Sequence, residues 1–423
     1  MSIYSRPLSH LGTGDLQELL DNKAVENVHL EFKREDPGKD EIMKKISSFG
    51  NTFGGYIVVG AKAKSGDGRI EELTGIDEVP GYKQRLIQWS FDAVTPPLTL
   101  EVSEPIPVPA ATGKVAYVIF VPESDVAPHF LNDRKGVWVR TDEFSQRFEA
   151  RLADEIELRH LLDRRKLILE RRDSLVERAK ARFEAFARST SEPSDGTKRS
   201  LVGPRLSFSV GPRFPARALR NHGELTSLIM KNHLNWRSGI FPDFTRGNLL
   251  TQHESAVVVG PSREQPYSIF ECNVWGMLFY CTPVAEEHYQ VGWGIHLYEF
   301  VGHILLFLHH AGEMLNALGY PSGPIVIQAV LSSLIGTPWL YSPGGMPVMF
   351  MKKVLQLDND ITFSVPTTSE ALREKHDGVA MEVLRYVFFG VNWADLNKPE
   401  TLEGLVRSGY TFNSWPEPPK LRA

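Results

Sequence analysis

Val25-Glu-Asn-Val-His-Leu-Glu-Phe-Lys33, together with the passage Ile42–Gly60 that follows it, decides how the first third of this chain folds. Val28, Leu30 and Phe32 alternate with His29, Glu31 and Lys33, the period of two expected of a strand with one buried face. Such a strand sets His29, Glu31 and Lys33 side by side on its other face. Glu26 lies five residues before Glu31, at the start of the strand, where a bend brings it round. Two carboxylates and a cation gathered there suit a divalent ion near a phosphate. They suit an ordinary solvated strand face equally well.

The surrounding pattern builds a small domain. A short amphipathic helix is expected over 11–24, with Leu16, Leu19 and Leu20 on one side. After the strand, Ile42, Ile46, Phe49 and Phe53 recur at helical spacing over 40–52, with Lys44 and Lys45 on another side. Gly54-Gly55 stops that helix, and Tyr56–Gly60 is a short apolar strand rich in β-branched residues. A turn at 65–68, a helix at 82–94 and strand-like runs at 98–102, 115–121 and 136–140 follow. Residues 11–150 therefore read as one α+β domain with a mixed sheet.

From Leu152 to Ala187 the chain has no proline or glycine, its charges alternate in sign, and apolar pairs recur every seven residues. One long helix over 151–188 is predicted, its stripe packing on its own domain or on a second copy of the chain. A homo-oligomer through residues 152–187 is the second of these expectations. The polar stretch 189–200 reads as a linker, and 201–423 as a second, larger domain. Its strands are expected at 206–210, 256–259, 267–274, 276–282 and 324–331, and its helices at 214–231, 296–318 and 368–388. No regular βαβ alternation appears, so this domain too is α+β.

Composition narrows the function. The 423 residues are 42% hydrophobic and 23% charged with a net charge of −5, so any nucleic-acid surface is local rather than global. The two cysteines, Cys272 and Cys281, read as buried free thiols. The start of the chain lacks a long apolar run, and the most apolar segment, 300–318, carries three histidines and a glutamate. It reads as a buried helix, so a cytoplasmic protein without a membrane span is expected. His309 or His310 with Glu313 has a spacing that sets ligands on one helix face, though packed core is the simpler reading. Glu286, Glu287 and His288 read as a polar loop.

Glu26-x4-Glu31-Phe32-Lys33, then Asn51-Thr52-x-Gly54-Gly55 running into Tyr56–Gly60, then Leu73–Asp77 and Gly136–Asp142, resembles the Schlafen-type AlbA-like domain. The likeness covers about residues 15–150, and the domain type is widespread in bacterial proteins. It implies nucleic-acid binding, with RNA favoured over DNA. In relatives that cut RNA, two glutamates five residues apart work with an aspartate after the second strand. Here Glu26 and Glu31 match the pair and Lys33 the neighbouring base, which implies catalytic roles for all three and a Mg²⁺ or Mn²⁺ ion on the glutamates. The aspartate is missing: Ala61-Lys-Ala-Lys64 stands there, and Asp40 and Asp67 fall off the motif position. Losing a carboxylate weakens a hard-ion site.

The same replacement adds positive charge. Lys33, Arg34, Lys44, Lys45, Lys62, Lys64 and Arg140 are the expected backbone-binding residues. Arg140 either reads phosphate or braces the sheet, and Asn51 most simply bonds loop backbone. No Walker loop exists. Two functions stand: a nucleic-acid-binding protein extending to a metal-dependent ribonuclease, or a non-catalytic regulator binding DNA or a nucleotide whose C-terminal domain senses a ligand or partner.

Overall fold

A short sheet buried on both faces organises the N-terminal third. The computed structural model describes residues 2–4, 6–132, 136–140, 149–190, 203–236, 239–245, 248–260, 268–288, 292–342 and 349–412. They fall into two units, residues 1–167 and 168–423.

Unit 1 opens with α1 (Thr13–Asp21), β1 (Leu30–Lys33), α2 (Gly38–Asn51), β2 (Gly55–Val59), β3 (Ala61–Ala63), β4 (Ile70–Leu73) and β5 (Ile76–Asp77). There follow α3 (Tyr82–Ala93), β6 (Val94–Thr95), β7 (Glu101–Val102), β8 (Ile106–Pro107), β9 (Lys114–Val121), β10 (Phe130–Leu131), β11 (Gly136–Arg140) and β12 (Ala150–Leu152). The main sheet runs β1-β2-β9-β5, with β7 and β8 also on β9; β1 and β2 are parallel and the rest antiparallel. A second sheet runs β12-β11-β10-β6. The mixed sheet expected of the α+β domain is present.

The single buried face expected of β1 is corrected to two. Leu30 and Phe32 join Leu16 and Leu19 of α1 on one side of the sheet. Ile42, Ile46 and Phe49 of α2 cover the other side, over Ile57 and Val59. Glu31 pairs in register with Ile57, so it points toward α2 rather than into solvent. The Gly54-Gly55 step makes this packing close. A Cβ on Gly54, whose φ is +66°, would lie 2.5 Å from the Glu123 nitrogen, and one on Gly55 would lie 2.5 Å from the Phe49 ring.

α4 (Glu155–Thr190) is the predicted long helix, and the boundary between the units falls within it. Residues 191–200 of the expected linker, and Thr141-Asp142 of the motif's end, lie outside the described residues. Unit 2 continues with β13 (Arg205–Pro212), α5 (His222–Lys231), β14 (Leu234–Trp236), β15 (Gly239–Phe241), β16 (Leu249–Gln252), β17 (Ser255–Val259), β18 (Ile269–Asn273), β19 (Leu278–Pro283), β20 (Ala285–His288) and β21 (Gly292–His296). It ends with α6 (Leu297–Ala317), β22 (Pro324–Ser332), β23 (Trp339–Tyr341), β24 (Phe350–Lys352), β25 (Ile361–Thr368), α7 (Ser369–Glu374), α8 (His376–Gly390) and α9 (Pro399–Phe412).

An antiparallel sheet, β16-β17-β18-β19-β13-β22-β25, carries unit 2. One face holds α6, whose Phe307 stacks on Phe208 and Tyr280 at 5.4 and 5.6 Å between ring centroids. The other receives α4: Leu175, Val176, Ala179, Phe183 and Ala187 bury against Val257, Ile269, Phe279 and Cys281. From Leu175 onward, therefore, the stripe offered for self-association is used inside the chain. The helix expected at 214–231 shrinks to α5, because Pro215 follows Phe214 and the Leu219 and Arg220 N–H groups donate to the Val274 carbonyl instead. The helix expected at 368–388 breaks into α7 and α8 at Lys375. Cys272 and Cys281 are free and buried, and burial pushes both thiols up. No described helix is long and apolar enough to cross a membrane.

Phe183→Ala removes the largest side chain of the α4 stripe from a fully packed site. The expected cost is about 3–5 kcal/mol of unit 2 stability, read as a lower denaturant midpoint. An unchanged midpoint contradicts the packing of α4 on this sheet.

Candidate nucleic-acid interface around Glu31

The approach of Glu26 to the strand is made by a tight turn. Asn27 and Leu30 exchange backbone hydrogen bonds at 3.0 and 3.3 Å, and the Asn27 side chain accepts the His29 N–H at 2.8 Å. The chain thereby doubles back, and Glu26 Oε1 accepts the Phe32 N–H at 2.9 Å. The Glu26 backbone N–H donates to the Gly68 carbonyl, which holds the β3–β4 turn beside it. Burial pushes the Glu26 carboxyl up, opposed by the Phe32 N–H, and the charge of Glu31 pushes it further.

Glu31 is 4% exposed and faces three cations. Its Oε1 lies 2.7 Å from Lys33 Nζ and 3.0 Å from Lys45 Nζ, and its Oε2 accepts a hydrogen bond from Arg140 Nη1. Burial alone would raise this carboxyl; Arg140, Lys45 and Lys33 outweigh it and hold the pKa at about 2. Arg140 is itself buried. Its Nη2 donates to the Asn27 carbonyl at 3.2 Å, and its guanidinium sits 4.2 Å from the centre of the Phe49 ring. One arginine thus ties together the turn, the strand and α2.

Asn51 closes the same unit from the other end of α2. It donates to the His129 and Trp138 carbonyls at 3.0 and 2.9 Å and accepts the His129 N–H at 2.7 Å. That matches the backbone-bonding role expected of it. It fixes β11, and with it Arg140, against the helix.

The expected cationic surface divides in two. Arg140 and Lys45 are buried in the Glu31 cage, so neither is an open phosphate contact, and the bracing reading of Arg140 is the one observed. Lys33 belongs to the cage but keeps 26% of its side chain exposed. Arg34 and Lys64 are exposed. Lys44 lies 4.6 Å over the Trp138 ring and 3.8 Å from Glu41, and Lys62 pairs with Glu71 at 2.8 Å. Sequence reasoning missed Phe49 as the platform under Arg140, because its helical spacing marks it only as core.

The donor set at Glu26 and Glu31 does not fit a resident Mg²⁺ or Mn²⁺. Both Glu31 oxygens already take cationic donors, and like charges about 4 Å apart cost on the order of 4 kcal/mol per unit charge even at an effective dielectric of about 20. Among the described residues, no third carboxylate or histidine completes a three-ligand group with them. Asp67 caps the Arg69 N–H, Asp40 is exposed in the first turn of α2, and Ala63 stands on β3. His309 pairs with His376 at 3.2 Å, and His310 is buried against Phe241 and Phe270, so the helical histidines serve the core of unit 2.

Residues 26–149 match the protein family described as Schlafen, AlbA_2. No curated protein matches the chain. The match spans both motif glutamates, the Asn51–Gly55 passage and Arg140, and it points to a nucleic-acid-related function for unit 1.

Glu31 has a folded pKa below its unfolded value of 4.5, so its contribution to stability is complete above the unfolded value. That contribution is lost as pH falls from there through about 2. Glu26, raised instead, acts with the opposite sign. Glu31→Gln leaves buried Arg140 without its counterion and Lys45 with only Glu41, at 4.0 Å, an expected loss of about 3–5 kcal/mol. Urea denaturation at several pH values checks both: the loss is expected at neutral pH and narrows toward pH 2.

Proposed function

We propose that unit 1 is a nucleic-acid-binding module that grips a polyanion backbone, RNA in preference to DNA, and binds it without metal-dependent cleavage. The supporting observation is that three cations converge on one buried carboxylate, and one of them, Lys33, stays partly open to solvent. An ammonium has three donors, so Lys33 has capacity left for a phosphate oxygen. Glu31 fixes it in place, and exposed Arg34 follows it directly, just past the end of β1. Such contacts position a backbone without reading sequence. The preference for RNA rests on the domain resemblance. Unit 2 then serves as the regulatory half, sensing a ligand or partner.

Cleavage is the second reading, and one observation favours it. Burial raises the Glu26 carboxyl, the direction a general acid or base near neutrality needs. Binding of single-stranded RNA, transfer RNA and duplex DNA, followed by fluorescence anisotropy across about 50–200 mM salt, separates the two. Binding that weakens steeply with salt is expected, with intact RNA recovered in Mg²⁺, Mn²⁺ or chelator. Lys33→Ala with Arg34→Ala should reduce the salt slope by about two. Mg²⁺-dependent cleavage lost in Glu26→Gln would establish the ribonuclease instead, and no salt-sensitive binding would sink both readings.

A further inference from the structure

Unit 2 brings together three metal-ligating side chains that neither reading of unit 1 uses. Glu286 on β20, His296 at the end of β21 and Glu299 in the first turn of α6 each bring one ligand atom within 4.8 Å of the other two. Among the described residues, no other three His, Cys, Asp or Glu side chains do so.

The topology produces this convergence. Glu286 pairs in register with Gly294, two residues before His296, so the period of two places Glu286 and His296 on one face of the β20–β21 pair. His296 is also the N-cap of α6, and Glu299 follows it three residues on. The His296 backbone is held in register with Leu340 of β23. The imidazole is therefore set by a strand before the helix begins, and it is 4% exposed. Glu299 is half-buried and Glu286 exposed, so the cluster is closed on one side and reachable from solvent on the other.

The donor chemistry is of mixed hardness. Two carboxylates and an imidazole match zinc-type ions, which bind nitrogen and oxygen at about 2.0–2.2 Å; Ca²⁺ takes about six to eight oxygens instead. Behind Glu299, His303 lies one turn further along α6, its Nε2 4.0 Å from Glu299 Oε1 and its Nδ1 3.2 Å from the Tyr280 hydroxyl. Such an outer partner orients a ligating carboxylate. The Glu299 N–H donates to His296 Nδ1 at 3.4 Å, which keeps the imidazole beside the first turn of α6.

We infer that Glu286, His296 and Glu299 bind a divalent transition-metal cation of the zinc type, joining the β20–β21 pair to the start of α6. This inference is independent of nucleic-acid binding by unit 1.

Untagged full-length protein, stripped with chelator and dialysed, is titrated with Zn²⁺ by calorimetry and with Co²⁺ by visible absorption. One equivalent per chain is expected, with a Co²⁺ band typical of nitrogen and oxygen ligation and a higher thermal midpoint in Zn²⁺. Glu286→Gln, an exposed substitution, should weaken binding at least about tenfold in protein whose metal-free circular dichroism is that of the parent. Glu299→Gln should weaken binding likewise, and Glu26→Gln in unit 1 should leave the Zn²⁺ affinity unchanged. Absence of binding at micromolar Zn²⁺, or affinity unaltered by both Glu286→Gln and Glu299→Gln, would overturn the inference and leave a hydrogen-bonded cluster.

Discussion

A buried carboxylate surrounded by three cations is the constraint on which unit 1 depends. Glu31 joins β1 to α2 through Lys45, to β11 through Arg140, and to its own strand through Lys33. Breaking such a network is far costlier than its net contribution suggests, because each remaining partner is left charged in a medium that solvates it poorly. Arg140 adds the Asn27 carbonyl and the Phe49 ring, so one side chain fixes the turn that returns Glu26 to the strand. Asn51 holds the β11 end of the same assembly through two backbone carbonyls.

This arrangement gives the motif residues a different division of labour from a carboxylate-rich metal site. With its oxygens directed at cations, Glu31 acts as an anchor that positions positive charge. Lys33 is the member that reaches solvent, paired at 2.7 Å with the Glu31 carboxylate. The Ala61-Lys-Ala-Lys64 stretch fits the same reading: β3 carries no carboxylate toward the pair, and Lys62 is spent on Glu71.

Unit 2 rests on a different principle, apolar burial on both faces of an antiparallel sheet. α6 is apolar nearly all round and takes the inner face, while α4 offers only a stripe and takes the other. The Glu286–His296–Glu299 cluster sits where a strand pair feeds directly into α6, so that strand register and helix capping act on the same residue, His296.

Much of this was legible in the residues alone. The alternation around Glu31, the helix of Ile42, Ile46 and Phe49, the glycine stop and the long α4 stripe are local patterns, set by periodicities of two and 3.6 residues and by glycine's freedom at Gly54. The family likeness also lies in those short strings. What the sequence could not decide is which groups share an environment across long separations. Arg140 and Glu31 are 109 residues apart, and Glu286 and Glu299 come from different elements. Alternation predicts that Glu31 leaves the Leu30–Phe32 face, but not that α2 buries the face it turns to. Periodicity is a property of the backbone and is written locally. Whether a carboxylate meets water, a cation or a metal depends on what the rest of the chain places opposite it, and that is fixed only when the sheets and helices pack.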